Sequence, residues 1–158
     1  MKKIRVYLDT SVLGAIYDTE YPQRVETTRN LLKTLASGST YAPFISNIVI
    51  EEIEKAPLEI VKGLKKLIGE MKPEVIDEKE ECIELVNEYL KKKVIPKGYR
   101  DDARHIAVAV VHNMDVIVSW NCRHMANIEK KRMINAVNLM SGHRQIDIVT
   151  PLEVIGHE

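Results

Sequence analysis

The sequence predicts an α/β fold, a three-layer α/β/α sandwich around a central parallel sheet of four to five strands. Short runs of β-branched and other apolar residues alternate along the chain with longer segments whose apolar residues recur at helical spacing. Strands separated by helices imply parallel βαβ units. The runs IRVYL at 4–8 and VIVSW at 116–120 alternate too little for a half-exposed sheet. We therefore expect both in the middle of the sheet.

Five segments are predicted strands, and each is short and rich in β-branched or aromatic residues. They are 4–8, 41–45, 74–76, 115–120 and 146–149. Pro43 lies inside the second of these segments. Proline cannot donate a hydrogen bond to a neighbouring strand. We therefore expect this strand to be an edge strand, or Pro43 to lie at the start of the strand.

The helices are predicted from apolar stripes, capping residues and breakers. They are 12–17, 22–36, 47–56, 57–69, 78–93, 101–110 and 127–139. Ser46 or Asn47 is the expected cap of the third, and Asp101 or Asp102 is the expected start of the sixth.

The composition is that of one globular domain spanning residues 1–158. Hydrophobic residues make up 45% of the chain and charged residues 29%, which excludes a disordered segment. No apolar run approaches the roughly 20 residues that span a bilayer, and the N-terminus lacks the apolar core of a signal peptide. Cys82 and Cys122 are isolated, which argues against a disulfide scaffold and a zinc knuckle. We therefore expect a cytoplasmic protein without membrane contact.

The net charge excludes binding of nucleic acid by bulk attraction. Lysine and arginine number 23, aspartate and glutamate number 23, and the formal net charge is +0. Proteins that coat nucleic acid are normally basic. A protein of this charge that acts on a polyanion must use local patches or metal ions.

Several polar residues lie where a parallel sheet would gather them. Asp9 follows the first strand, Ser119 and Asn121 close a later one, and Asp102 lies at a helix start. Glu52 lies within the apolar stripe of its helix, where a carboxylate needs a partner. Each has an ordinary interpretation taken singly: a helix cap, a turn or a solvated rim residue. Ligands of open α/β sheets bind beyond the carboxyl ends of the strands, so these residues are also site candidates.

Asp9, Glu52 and Asp102 are expected to converge on one cleft. Two like charges about 4 Å apart repel by about 4 kcal/mol at an effective dielectric constant near 20. Protons or a divalent cation must relieve that repulsion, and hard carboxylate oxygens suit Mg²⁺ or Mn²⁺. Such an ion suits hydrolysis of a phosphodiester.

Four short motifs resemble those of the PIN-domain family, in its VapC-like toxin branch. YLDTSVLGA resembles the first motif, with Asp9 as its acid, and ISNIVIEEI resembles the second, in which a serine precedes a glutamate by six positions and selects Glu52. DDARHIAVAV resembles the third and assigns Asp102, and VIVSWNCRH resembles the fourth, with Ser119 and Asn121. The ending DIVTPLEVI resembles the family's last strand, so the likeness covers nearly the whole chain.

The resemblance implies a ribonuclease that hydrolyses RNA through a carboxylate-held Mg²⁺ or Mn²⁺ ion. Asp9, Glu52 and Asp102 would hold the ion, and Asn121 would orient water or bond a carboxylate. The side chains Thr10, Ser46 and Ser119 would brace these residues. The toxin branch also implies a cognate antitoxin and a homodimer. Asn121 stands at a position that is aspartate or asparagine in the family. The resemblance therefore does not fix whether the site holds one metal ion or two.

Basic residues near the proposed site are candidates for RNA contact. Arg104 follows Asp102 and Arg123 follows Asn121, so these two are the expected contacts. The other lysines and arginines are interpreted as solvated surface charge.

Three other functions compete with the nuclease. The first is a catalytically weak or inactive PIN-like module that binds RNA or protein, which Asn121 in place of a fourth acid makes credible. The second is a phosphatase with Asp9 as nucleophile, but the second aspartate that haloacid-dehalogenase-like enzymes need is replaced by Ser11. The third is a zinc site built from His105, His112 and His124, which no HExxH spacing supports.

Overall fold

A five-stranded sheet of parallel strands forms the centre of the computed structural model, which describes residues 2–38, 40–121, 125 and 127–155. The strands are β1 (Ile4–Leu8), β2 (Tyr41–Ser46), β3 (Glu74–Ile76), β4 (Val116–Val118) and β5 (Asp147–Val149). Their order across the sheet is β3-β2-β1-β4-β5, and all four neighbouring pairs are parallel. The predicted fold class is therefore confirmed.

Eight α-helices connect and cover the strands in the described part of the chain. They are α1 (Thr10–Gly14), α2 (Pro22–Ala36), α3 (Asn47–Ile53), α4 (Leu58–Met71), α5 (Glu80–Lys91), α6 (Arg100–Val111), α7 (Ile128–Met140) and α8 (Pro151–Ile155). Short 3₁₀ turns follow α1 at Ala15–Tyr17 and precede α6 at Lys97–Tyr99. No helix among the described residues is both long and apolar enough to cross a membrane.

The core lies around β1, β4 and α6, as the continuous apolar runs predict. The last three residues of β1 are fully buried, and so are Ile117 and Val118 of β4. Helix α6 is buried along most of its length, and its alanines Ala103, Ala107 and Ala109 have no exposed surface. Strands covered on both faces must be apolar on both faces, which is why these runs do not alternate.

Strand β2 is internal, so its predicted edge position is wrong for the strand as a whole. It pairs with β1 on one side and β3 on the other. Pairing with β3 begins only at Phe44, whereas Pro43 pairs across to Val6 alone. Because β3 is too short to reach Pro43, the proline lies on a locally unpaired flank and needs no donor there.

Two helices begin after a polar cap: Ser46 is one of the two caps predicted for α3, whereas Asn127 was predicted to lie inside its helix. The Ser46 hydroxyl accepts a hydrogen bond from the Ile48 amide, and the Asn127 side chain accepts one from the Lys130 amide, so both precede their helices. Asp101 and Asp102 lie in the first turn of α6, whose cap position is Tyr99. Asp9 stands at the cap position of α1, but its side chain makes no capping bond and is available for other contacts.

The topology places the site residues at the edge of the sheet that is formed by the carboxyl ends of its strands. Leu8 pairs with Val118 in register, so the residues that follow β1 and β4 leave the sheet side by side. Ser46 closes the adjoining strand β2 at the same edge. The carboxyl ends of the central strands therefore bring Asp9, Ser46 and Ser119 together, where such sheets bind ligands.

Candidate active site

Asp9 is buried and held by two serine hydroxyls. Ser11 Oγ donates to Asp9 Oδ1 at 2.5 Å, and Ser119 Oγ donates to Asp9 Oδ2 at 2.6 Å. The same two hydroxyls accept the amides of Trp120 at 3.0 Å and Asn121 at 2.9 Å. The loop after β4 is thus tied to the Asp9 carboxylate through both serines.

Burial raises the pKa of Asp9 above its ordinary value, because the low-dielectric surroundings disfavour the charged form. The charge of His105 and the hydroxyls of Ser11 and Ser119 lower it in part. The site therefore contains a carboxylate whose charge the protein itself compensates incompletely. A cation beside it would relieve that cost.

Glu52 is held by a threonine and a histidine. Its Oε1 atom accepts the Thr10 hydroxyl at 2.6 Å and lies 2.6 Å from His105 Nε2. The side chain of Glu52 is 27% exposed, whereas that of His105 is 3% exposed. Oε2 of Glu52 accepts no hydrogen bond from any described residue.

A buried relay of hydrogen bonds continues behind His105. Its Nδ1 atom lies 2.6 Å from the Tyr7 hydroxyl, which lies 2.7 Å from Ser46 Oγ. Ser46, Tyr7 and His105 thus form one buried chain of hydrogen bonds, which His105 Nε2 extends to Glu52 Oε1. Burial raises the pKa of Tyr7 well above its ordinary value, so the hydroxyl stays a donor.

The donors around Glu52 outweigh its desolvation. Partial burial by itself raises the pKa of Glu52. The hydrogen bond and charge of His105 and the hydrogen bond from Thr10 lower it by more, so the resulting pKa lies below the ordinary value. Glu52 is therefore ionised at neutral pH, whereas Asp9 is harder to ionise. The surroundings therefore raise the pKa of Asp9 and lower the pKa of Glu52.

Asp102 is linked to the same edge through Asn121. The Asn121 side-chain amide donates to Asp102 Oδ2 at 2.9 Å, which joins the start of α6 to the loop after β4. His105 lies one turn after Asp102 on α6 and contacts Glu52. The structure thus joins Asp9, Glu52, Asp102 and Asn121 through neighbouring residues and hydrogen bonds along one edge of the sheet.

The three acids do not form a preformed metal site in the described part of the chain. Among the residues that the structure describes, no three histidine, cysteine, aspartate or glutamate side chains lie close enough to hold one ion. Magnesium, however, is commonly held by one or two carboxylates and keeps several waters. The Glu52 carboxylate, whose side chain is 27% exposed, and the Asp9 carboxylate, whose charge is incompletely compensated, offer hard oxygen donors of that kind. The donor chemistry fits such a water-rich site, and the ligand roles stay predictions.

Arg104 is engaged by three carboxylates. Its guanidinium bonds Glu78 through two nitrogens, at 2.6 and 3.0 Å, and also contacts Glu51 at 3.1 Å and Asp101 at 3.2 Å. Its contact with RNA stays a prediction, but a phosphate would have to compete with these acids. Arg123, the other predicted contact, lies outside the described residues, as does His124.

The two histidines of the proposed zinc site are used otherwise. His105 lies between Tyr7 and Glu52, and His112 Nε2 lies 2.8 Å from the backbone carbonyl of Asp77. His105 lies within α6 and His112 directly follows it, and the two contact different partners. No described group of three ligands includes them.

The Arg104 cluster predicts an acid-sensitive part of the stability. The hydrogen bonds from Arg104 lower the pKa of Glu78 below its ordinary value of 4.5. The stabilisation is therefore complete above that ordinary value and is lost as the pH falls through the lowered pKa of the folded state. In thermal melts against pH, Glu78→Gln should melt below the wild type at neutral pH, and the difference should shrink in acid.

A matched control for Glu78 is Glu26→Gln, which makes the same charge change on an exposed side chain of α2. Its difference from the wild type should stay small across the pH range. A Glu78→Gln difference that is constant with pH would contradict the ion-pair account.

Three residues of the network were not singled out for these roles by the sequence: Ser11, Tyr7 and His105. Ser11 was noted only as the missing second aspartate of a phosphatase. Position 105 lies on the apolar stripe of α6, where a histidine needs a buried partner. His105 lies three positions after Asp102 and contacts Tyr7 of β1. Its need for a buried partner was the feature of the sequence that could have identified it as a site residue.

The fold of this chain is similar to that of a solved structure. A chain in the crystal structure of VapBC2 from Rickettsia felis, bound to a DNA fragment from their promoter, superposes on this one with a TM-score of 0.60. The match covers 93% of this chain and 98% of that chain at 19% sequence identity. This chain has a PIN-like fold.

The PIN-like fold confirms the architecture that the four motifs implied. It does so at the level of fold, since 19% identity is too low to transfer an activity. No protein-family model and no curated protein matches the sequence.

Proposed function

We propose that this chain is a metal-dependent endoribonuclease that hydrolyses RNA phosphodiester bonds, and the toxin of a toxin–antitoxin pair. The observation that carries the proposal is that separate donors orient three acids at the ligand-binding edge of a PIN-like fold. Ser11 and Ser119 hold Asp9, Thr10 and His105 hold Glu52, and Asn121 bonds Asp102. A purely structural cap would need one such bond and not a network.

In the proposed reaction water is the nucleophile, so no side chain has to attack the phosphate. Asp9, Glu52 and Asp102 are the residues that would hold Mg²⁺ or Mn²⁺, directly or through water. When bound, the ion supplies positive charge that offsets the phosphate and acidifies water. Water adds to phosphorus, the bond from phosphorus to the 3′ oxygen breaks, and the products carry a 5′-phosphate and a 3′-hydroxyl.

The protein's own contribution is orientation. The carboxylates are fixed by donors on α1, on α6 and in the loop after β4, so they do not have to be ordered when the substrate arrives. Asn121 holds the Asp102 carboxylate toward the loop after β4 and adds no negative charge of its own. The lower charge favours approach of an RNA phosphate.

The proposed partners follow from the same likeness. VapBC2 is a two-protein assembly bound to promoter DNA, and an antitoxin partner is proposed here on that basis. A homodimer is proposed with it.

The test is RNA cleavage by the purified chain with Mg²⁺, with Mn²⁺ and with a chelator. We expect cleavage only with a divalent ion, and a loss of roughly 100-fold or more in Glu52→Gln, since a metal's charge is worth several kcal/mol in such reactions. Products should carry 5′-phosphates, which ligation assays detect.

Glu51→Gln is the matched control, because it removes the same charge one position away on an exposed side chain. It should cleave within a few-fold of the wild type. Cleavage that survives Glu52→Gln or the chelator would reject the nuclease proposal. RNA binding without any metal-dependent cleavage would favour the alternative, an inactive PIN-like binding module.

A further inference from the structure

Two aromatic rings and an arginine form a second cluster beside the acids. Arg24 of α2 places its guanidinium carbon 4.8 Å from the centroid of the Trp120 ring and 5.2 Å from that of Tyr21. Tyr21 is 55% exposed, and Trp120 and Arg24 are partly exposed. We call these three residues the aromatic–arginine platform.

The platform is fixed in place. The indole nitrogen of Trp120 donates to the buried Thr28 hydroxyl of α2 at 2.9 Å, and the Trp120 backbone amide donates to Ser11 at 3.0 Å. Both the ring and its backbone are therefore anchored. Since a preorganised surface loses little freedom on binding, this favours a ligand-binding role over a mobile surface group.

Arg24 contacts aromatic rings but forms no ion pair with a described residue. Within the described part of the chain, no carboxylate lies within ion-pair distance of it, in contrast to Arg104 with its three acids. Planar guanidinium and aromatic groups stack on nucleobases, and arginine also contacts phosphate.

The platform lines a cavity that adjoins a second one, and the second is lined by hydrogen-bond partners of two of the acids. The platform cavity has a volume of about 580 Å³, within the range of small-ligand sites of about 300–1,000 Å³. An adjoining cavity of about 430 Å³ shares Arg24 and Trp120 with it and is lined by Ser11 and Asn121. Ser11 bonds Asp9 and Asn121 bonds Asp102, so the second cavity adjoins the proposed reaction site.

We propose that the aromatic–arginine platform binds an unpaired nucleobase of single-stranded RNA next to the bond to be cleaved. The inference rests on the proposed nuclease function and names the part of the substrate that this surface recognises. Glu20 in the lining of the platform cavity favours a base over a phosphate, because a carboxylate repels phosphate but accepts hydrogen bonds from base amino groups. A duplex cannot present a base face in this way, so the platform selects unpaired RNA.

The chain carries its own probe for this proposal, since Trp120 is its single tryptophan. In buffer with a chelator, a short oligocytidine RNA should quench Trp120 emission in a saturable manner. The same backbone with abasic sites should quench little and bind roughly tenfold or more weakly, the loss expected when base stacking is removed.

Variants separate the platform from general charge. Tyr21→Ala and Arg24→Gln should each weaken binding of labelled oligocytidine roughly tenfold, measured by fluorescence anisotropy. Arg29→Gln is the matched control, because it removes the same charge from an exposed position on the same helix, and it should bind within about twofold of the wild type. Equal affinities for ordinary and abasic RNA, or unchanged affinity in Tyr21→Ala and Arg24→Gln, would overturn the proposal.

Cleavage assays distinguish failure of the platform from failure of the nuclease. Base-dependent quenching without metal-dependent cleavage leaves the platform standing and rejects the nuclease. Metal-dependent cleavage with the wild-type kcat/KM in Tyr21→Ala and Arg24→Gln rejects the platform and leaves the nuclease. If these two variants bind RNA normally but lose binding of the cognate antitoxin, the surface is a protein interface and the RNA proposal is wrong.

Discussion

Asp9→Asn is expected to abolish RNA cleavage while leaving the protein at least as stable as the wild type. Asp9 is buried, and its pKa is raised by that burial, so its charge costs the folded state free energy. Asparagine has the same size and can bond both Ser11 and Ser119, because each hydroxyl can donate to an amide oxygen or accept from an amide nitrogen. The substitution removes a charge and preserves the shape.

The expected loss of cleavage is about 10²- to 10³-fold or more, which corresponds to several kcal/mol of lost charge stabilisation at 1.4 kcal/mol per factor of ten. The expected melting temperature is unchanged or a few degrees higher. Activity against single-stranded RNA and thermal melting by circular dichroism measure the two effects. A residue kept at a cost in stability and essential for activity has the pattern of a functional site.

Asp77→Asn is the matched control for Asp9. Asp77 directly follows β3, as Asp9 follows β1, but it is exposed, and only its backbone carbonyl makes a described contact. Its cleavage rate should stay within a few-fold of the wild type. A large loss of stability in Asp9→Asn, or full cleavage after contaminating nuclease is removed, would contradict the role given to Asp9.

The sheet was predictable because its signals are local. Runs of β-branched residues in β1 and β4 specify strands, and polar residues that follow parallel strands meet at one edge whatever the details of packing. Glu52 was separable from Glu51 by helical spacing alone: Glu51 has a 53% exposed side chain, whereas that of Glu52 is 27% exposed. These inferences need only the period of the element.

The partners of the polar residues were not predictable, because they depend on contacts distant in sequence. His105 and Glu52 are 53 residues apart, and the contact depends on how α3 and α6 pack against the sheet. The contacts of Arg104 depend on the same packing, which brings Glu51 and Glu78 to it. A single sequence specifies that a buried histidine needs a partner, and the fold decides which one.

His105→Ala is expected to have the second largest effect, on both stability and cleavage. It removes the group between Tyr7 and Glu52, so the fully buried Tyr7 hydroxyl loses one partner and Glu52 loses a donor. A lost buried side chain and an unsatisfied polar group together cost about 2–4 kcal/mol. At about 2–4 °C per kcal/mol for a chain of this size, the melting temperature should fall by roughly 5–15 °C.

The effect on cleavage should exceed what instability explains, because His105 is a positioning residue. Well below the melting temperature, kcat should fall about tenfold or more while KM for RNA changes little, since His105 orients Glu52 and is itself 3% exposed. His112→Ala, at the residue that follows the same helix, loses one bond to a backbone carbonyl and should affect both quantities weakly. His105→Gln, which can still donate to Glu52, should recover part of kcat if orientation is the role. If kcat in His105→Ala equals that of His112→Ala at equal folded fraction, His105 stabilises the core and does not act on Glu52.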